Sequence, residues 1–431
     1  MLQASHNWRR AGEHAVQRVA YQEAAEHFQR GLDQLLALPE DAERTQREFE
    51  LLIALGPCLI IMHGVGATEV ERTYTRAYAL CQHGKEPLQL FSALQGLRYF
   101  YWVRADLHTA RELEARLLAL ARAQQDPALL MQAHMSSGLS LSSLGDFALA
   151  LDHFEQALTH GDSASRSTLP IPHPEIACRL YSGLALWCMG YVDQARTRIH
   201  EGLALAEQLA HPLHQAWGEH IGAMFYQNYR EPLAAREWAD AITTHTAVSG
   251  IPLTLDTAQF VQGWALVQEG EGEAGIEQMQ QANTTYLTRN GTLSMPRRLA
   301  LLAEAHGSLG QIEAGLELLA EAEALIEQHG DRSYWAEVHR LKGELLQQVA
   351  SRRGDADASA EGSFLKAMEI AREQQAKMFE LRAAMSLSQL WQQQGKDTAA
   401  RELLAPIYAW FTEGLDSPDL QEAQAFLTEL A

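Results

Sequence analysis

The sequence predicts an all-α solenoid, a right-handed α-α superhelix of about ten helix pairs with a C-terminal capping helix. Three observations predict it. The compact residue opening the second helix of each pair falls at 24, 70, 110, 150, 195, 234, 275, 315, 360 and 400, a mean step of about 42 residues. Glycine recurs at the turn inside the pair, as at Gly145, Gly190, Gly270, Gly310 and Gly395. The second helices carry apolar residues at i, i+4 and i+7, which share one helical face.

The units justify this in order. The first (5–38) has Trp8, Gly12, Ala24, Phe28 and Gly31; the second (46–83) has Val70, Tyr74 and Ala77; the third (88–124) has Ala110, Glu114 and Leu117. The fourth (128–160) is clearest, with Gly138, Leu141, Gly145, Ala150, Phe154 and Ala157. Gly138 lets a neighbouring helix approach, and Gly145 ends its helix as a C′ glycine does. The fifth (174–209) has Gly183, Leu186, Gly190, Ala195 and Gly202; the sixth (213–248) has Gly222, Phe225, Ala234, Trp238 and Ala241. The seventh (255–290) has Gly263, Leu266, Gly270, Gly275, Met279 and Ala282; the eighth (295–329) has Ala303, Gly310, Gly315, Leu319 and Ala322. The ninth (333–375) has Gly343, Phe364 and Ala367; the tenth (378–412) has Ser388, Trp391, Gly395, Ala400 and Leu404. The step exceeds the ~34 residues of the tetratricopeptide class. Insertions account for the longest steps: Ile60 to Thr68, Gly161 to Pro174, and the polar run Ser351 to Ser359, a candidate mobile loop.

The cap spans 417–430: Ser417 suits the N-cap, Pro418 the first helical position, and Asp419 and Glu422 the positive helix end. The first repeat begins almost at once and has no such cover. An uncovered solenoid end exposes core surface, so a preceding segment or self-association into a homo-oligomer is expected there.

Net charge is −21, with 34 Lys and Arg against 55 Asp and Glu, which argues against nucleic acid and anionic membranes as partners. The Arg297–Arg298 and Arg352–Arg353 pairs read as solvated turns. The four cysteines form no C-x-x-C pair, and a reducing cytoplasm is the expected compartment. No signal-peptide pattern opens the chain, and the longest apolar run, Pro57 to Met62, is too short for a bilayer.

Three stretches carry a family resemblance: NWRRAGEHAVQRVAYQEAAEHFQRGLDQL, FELLIALGPCLIIMHGVGATEVERTYTRAYALCQ, and the C-terminal run from AMEIAREQQAKMFELRAAMSL to QEAQAFLTEL. Together they resemble the tetratricopeptide-repeat region of bacterial adenylate/guanylate cyclase-like predicted ATPases, multidomain signalling regulators. The resemblance implies a sensor or docking arm that acts with upstream cyclase or ATPase domains. Those domains are not in this chain, so none of the family's catalytic residues carries over to it.

The residues themselves point the same way. There is no G-x-x-x-x-G-K-[ST] phosphate loop; Gly395-Lys396-Asp397 is an inter-helix turn. His211, His214 and His220 lack the spacing and the additional ligands that zinc requires. There is no G-x-S-x-G elbow, and pairs such as Glu271 with Glu273 or Glu321 with Glu323 sit on helix ends or exposed faces. The expectation is a non-enzyme with no cofactor and no metal. The informative feature is aromatic. Tyr99, Phe100, Tyr101 and Trp102 are consecutive on a first helix and cannot all face one core. Counted from the repeat register, Tyr99, Trp102, Leu184, Trp187, Tyr226, Phe260 and Trp264 face a concave, largely uncharged groove. Such a groove takes a peptide, a helix or a partner domain. A carboxylate clamp is not expected, because Arg98 and Arg179 stand alone among apolar neighbours. The alternatives are a self-associating scaffold and, behind it, a small-molecule-binding regulatory domain, which needs a deep pocket with convergent polar groups.

Overall fold

The computed structural model describes residues 2–81, 86–161, 173–250, 252–289, 291–353 and 358–431. These form twenty-one α-helices and no strand. Helices follow as antiparallel neighbours: α1 (Leu2–Gln17) and α2 (Tyr21–Leu36), α3 (Ala42–His63) and α4 (Thr68–Cys81), α5 (Pro87–Val103) and α6 (Leu107–Gln124), α7 (Pro127–Leu144) and α8 (Phe147–Leu158). Then come α9 (Pro174–Met189) and α10 (Val192–Gln208), α11 (Pro212–Asn228) and α12 (Pro232–Ser249), and, after a 3₁₀ turn at Pro252–Thr254, α13 (Leu255–Gln268) and α14 (Gly272–Thr288). The last are α15 (Met295–Ser308) and α16 (Ile312–His329), α17 (Trp335–Arg353) and α18 (Ala358–Glu373), α19 (Lys377–Gln393) and α20 (Asp397–Tyr408), and the cap α21 (Pro418–Glu429). Most of the 161–174 insertion and the middle of the 351–359 run lie outside the described residues.

The pairing follows from small residues at helix crossings. A Cβ at Gly138 on α7 would lie 2.5 Å from Phe154 Cε1 on α8, and one at Gly343 would lie 2.5 Å from Phe364 Cε1. Only glycine admits the ring there. The turn between partners is a left-handed C-cap. Gly145 (φ 82°) donates to Ser142 O, and Asp146 N donates to Leu141 O at 2.9 Å, which closes the α7 carbonyls. In the sixth pair the fully buried positions fall one residue later than the sequence register, at Ala235, Ala239 and Ile242. Trp238 lies half-buried across Gly222 instead.

The superhelix also closes on itself. Arg289 donates to Ile61 O at 3.2 Å. Thr292 N and Leu293 N both donate to Val103 O, and Arg332 N donates to Ser143 O at 2.8 Å. Near the C-terminus, Arg382 donates to Asn228 O at 2.6 Å, and Gly414 N to Asp193 Oδ2 at 3.0 Å. Each bond joins a unit to the one roughly five pairs earlier, a full superhelical turn away. The concave face is therefore an interior. Among the described residues no helix is long and apolar enough to cross a membrane.

Candidate functional site

The interior holds a cavity of about 220 Å³, walled by first helices from successive units. Tyr99 and Trp102 reach it from α5, Leu184 from α9, Trp217 and His220 from α11, and Phe260 from α13. Tyr286 and Arg289 enter from the α14 end, and Arg297 and Arg298 from the first turn of α15. The aromatic lining of the cavity is buried: Tyr99 is 3% exposed, Trp102 5% and Phe260 1%. The four consecutive aromatics divide as helical geometry demands. Tyr99 and Trp102 turn to the cavity, Phe100 to the core, and half-buried Tyr101 hydrogen-bonds Glu71 at 3.1 Å.

The other three residues assigned from sequence lie elsewhere. Trp187 is buried edge-to-face against Phe379 (5.7 Å), with the Arg382 guanidinium over its ring at 5.0 Å. Tyr226 is half-buried, its hydroxyl 2.9 Å from His200 Nε2. Trp264 lines a second cavity of about 540 Å³, with Glu304, Glu337, Glu344, Arg340 and Arg382 around it. Tyr334 belongs to both cavities.

Arg297 and Arg298 are not solvated turns. Pro296 sits in the first turn of α15, and that turn points inward, burying both arginines. Arg298 is tied on all sides: Nε to Asn283 at 2.7 Å, Nη1 to Asp256 at 3.2 Å, and its plane between the Phe260 and Tyr286 rings. Burial pushes Asp256 up and Arg298 down, and their mutual attraction opposes both shifts. Arg297 differs. Its Nη2 meets only amide oxygens, Gln227 Oε1 at 2.6 Å and Asn228 Oδ1 at 3.1 Å, and its Nε has no partner among the described residues. Burial, and then Arg298, push it down to about 10, so it stays charged at neutral pH. Burial also lowers Arg289. Half-buried His220 is pushed down to about 3, by desolvation first and then by Arg298 and Arg297, and is neutral. Arg98 and Arg179 also have partners that the sequence did not show. Arg98 pairs with Glu114 at 2.8 Å, and Arg179 with Glu175 and Glu201.

Of the three clustered histidines, His211 caps α11 by accepting from Leu213 N, while His214 stacks on it at 4.8 Å between centroids. Among the described residues no group of three or more His, Cys, Asp or Glu is placed to hold a metal. The sequence signal for the buried arginines is the Pro-Arg-Arg run at the start of a helix: Pro fixes the first turn and the two arginines must share its faces.

No family model matches the chain. A curated relative, an uncharacterized protein of Rhizobium meliloti (strain 1021), is 24% identical over 392 residues, covering 88% of this chain and 37% of that protein. The chain thus spans well under half that relative's length. Among solved structures, a Rap protein complexed with Competence and Sporulation Factor matches with TM-score 0.58 and 12% identity, covering 87% of this chain and 99% of that one. The APC/C hetero-tetramer Cut9–Hcn1 matches with TM-score 0.52 and 14% identity (97% and 74% covered), and the apo form of RapI with TM-score 0.50 and 11% identity (66% and 98% covered). The fold is that of tetratricopeptide-like helical repeats.

Proposed function

We propose that this chain is a non-catalytic binding module that encloses a short peptide, or the end of a partner chain, inside its superhelix. The observation that carries this reading is the pair of interior cavities meeting at Tyr334, one aromatic and one charged. At about 220 Å³ the first falls below the ~300–1,000 Å³ of sites that enclose drug-sized ligands. It suits one bulky residue, with neighbouring residues extending toward the second. A whole helix or domain does not fit such a space. The neighbours support a binding role: one is complexed with Competence and Sporulation Factor, and another forms a hetero-tetramer. We assign the module to a multidomain signalling protein with upstream cyclase or ATPase domains. The resemblance in the sequence supports this, as does the greater length of the curated relative. Occupancy would act through the bonds between superhelical turns, several of which, such as those of Arg289 and Leu293, flank the cavity.

A library of N-acetylated pentapeptides passed over the immobilised chain tests this. Peptides retained by the wild type and lost in Leu184→Trp, which fills the cavity, support it. No retention, or equal retention by the filled variant, refutes it. The small volume favours a second reading, a small-molecule regulatory domain. A metabolite mixture run over the same two proteins separates that case.

A further inference from the structure

We infer that the aromatic cavity is an anion-recognition site, in which the Arg297 guanidinium receives a free carboxylate carried on an apolar body. The inference rests on the enclosed-ligand reading above and names the chemistry of the end that enters. The chain as a whole carries −21, yet Arg289, Arg297 and Arg298 converge on this cavity and Asp256 is the only carboxylate among its described lining residues. Asp256 is committed to Arg298. Arg297 and Arg289 form no ion pair among the described residues, and Arg297 is 7% exposed. A buried cation facing only amide oxygens and a tyrosine ring is a poorly compensated charge. An incoming carboxylate supplies the missing counter-charge and can bond the guanidinium with two oxygens.

Four further polar groups can serve as donors. Arg297 Nε, His220 Nδ1, Thr254 Oγ1 and Ser142 Oγ all belong to cavity-lining residues, are buried, and have no hydrogen-bond partner among the described residues. Each of them can donate. The first turn of α15 adds a further positive field, since Ser294, Arg297 and Arg298 from that helix start all line the cavity. Around these donors stand Trp102, Phe260 and Tyr286, which favour an aromatic or aliphatic body. The carboxylate could be a peptide C-terminus or that of a small organic acid, and both present the same group to Arg297.

Calorimetric titration of the whole chain at neutral pH distinguishes these cases with two matched probe pairs. One is hydrocinnamate and its neutral amide, hydrocinnamamide. The other is an N-acetylated tripeptide ending in phenylalanine, with a free or an amidated C-terminus. The expected result is that an acid binds at least about tenfold tighter than its amide, and that Arg297→Gln removes this preference. Arg297→Lys, which keeps the charge, should restore part of it. A preference seen only in the tripeptide pair assigns the site to a chain terminus. One seen only with hydrocinnamate assigns it to a small acid and removes the peptide reading while upholding this one. Equal binding of acid and amide, or binding by neither pair, overturns the anion assignment; this comparison needs no variant. If library peptides are retained and lost in Leu184→Trp without any acid preference, the enclosed-peptide reading survives and this inference fails.

Discussion

Replacing Asp419 with asparagine should release the C-terminal cap. Asp419 is 5% exposed and accepts from Arg382 Nε at 2.9 Å and Nη2 at 2.8 Å, and from Arg230 Nη1 at 3.3 Å. Burial pushes its carboxyl up, but the two arginines outweigh burial and hold it below the ordinary carboxylate range. Removing one member of a buried pair costs about 3–5 kcal/mol. The lower figure applies here, because Arg382 keeps Glu337 at 3.5 Å and the half-exposed Arg230 keeps Glu422 at 2.7 Å. About 3 kcal/mol corresponds to roughly a hundredfold increase in the opening of α21. Native-state hydrogen exchange on α21, with urea unfolding alongside, reads this directly. Wild-type protection of α21 in Asp419→Asn, with an unchanged urea midpoint, would refute the claim that this ion pair docks the cap. The pH dependence follows in sign. A carboxyl held low in the folded state stabilises above its unfolded value, near 3.8, and that contribution is lost as pH falls through the lower folded value.

Three further outcomes are expected. Gly138→Ala places a Cβ against the Phe154 ring and should cost about 1–3 kcal/mol by chemical denaturation; a neutral effect would mean the ring has room to move. Burial pushes Cys58 and Cys188 up to about 12 and Cys81 up to about 11, so the folded chain should resist iodoacetamide at pH 8 and react once unfolded. Rapid alkylation of the native protein would contradict it. His134 and His214 are pushed down to about 4, by burial first and then by neighbouring histidines, so their NMR titrations should lie well below 6.5. The unfolded chain then binds the extra protons, and stability should fall as pH drops from about 6.5 toward 4; a flat profile there would count against both values.

The helical rhythm was legible because it is local. Gly138, Ala150, Phe154 and Ala157 meet within one pair, so the contact is written within a few turns of sequence. The consecutive aromatics divide by the geometry of a single helix, which separates Tyr99 and Trp102 from Phe100. The counted register failed where distance entered. Trp187 holds the same kind of first-helix position as Leu184, yet Phe379 and Arg382, nearly two hundred residues on, take it out of the cavity. A shorter separation, seventy residues, hid the role of Arg297. Local charge rules place an Arg-Arg turn in water, and only the curvature of the superhelix, which brings the end of α11 against the start of α15 two pairs later, sets Gln227 and Asn228 beside it. The sixth second helix slipped by one position because neighbouring alanines, Ala234 and Ala235, satisfy the pattern equally well on paper.

The bonds from Arg289 to Ile61 and from Arg332 to Ser143 carry a thermodynamic consequence. An open stack of repeats frays from its tips, each unit melting nearly on its own terms. Here a rung that loosens also frees the rung lying above or below it, so partly melted forms lose contacts along two directions at once. The array should consequently denature as a block, with a steep transition closer to that of a globule than to that of a ladder.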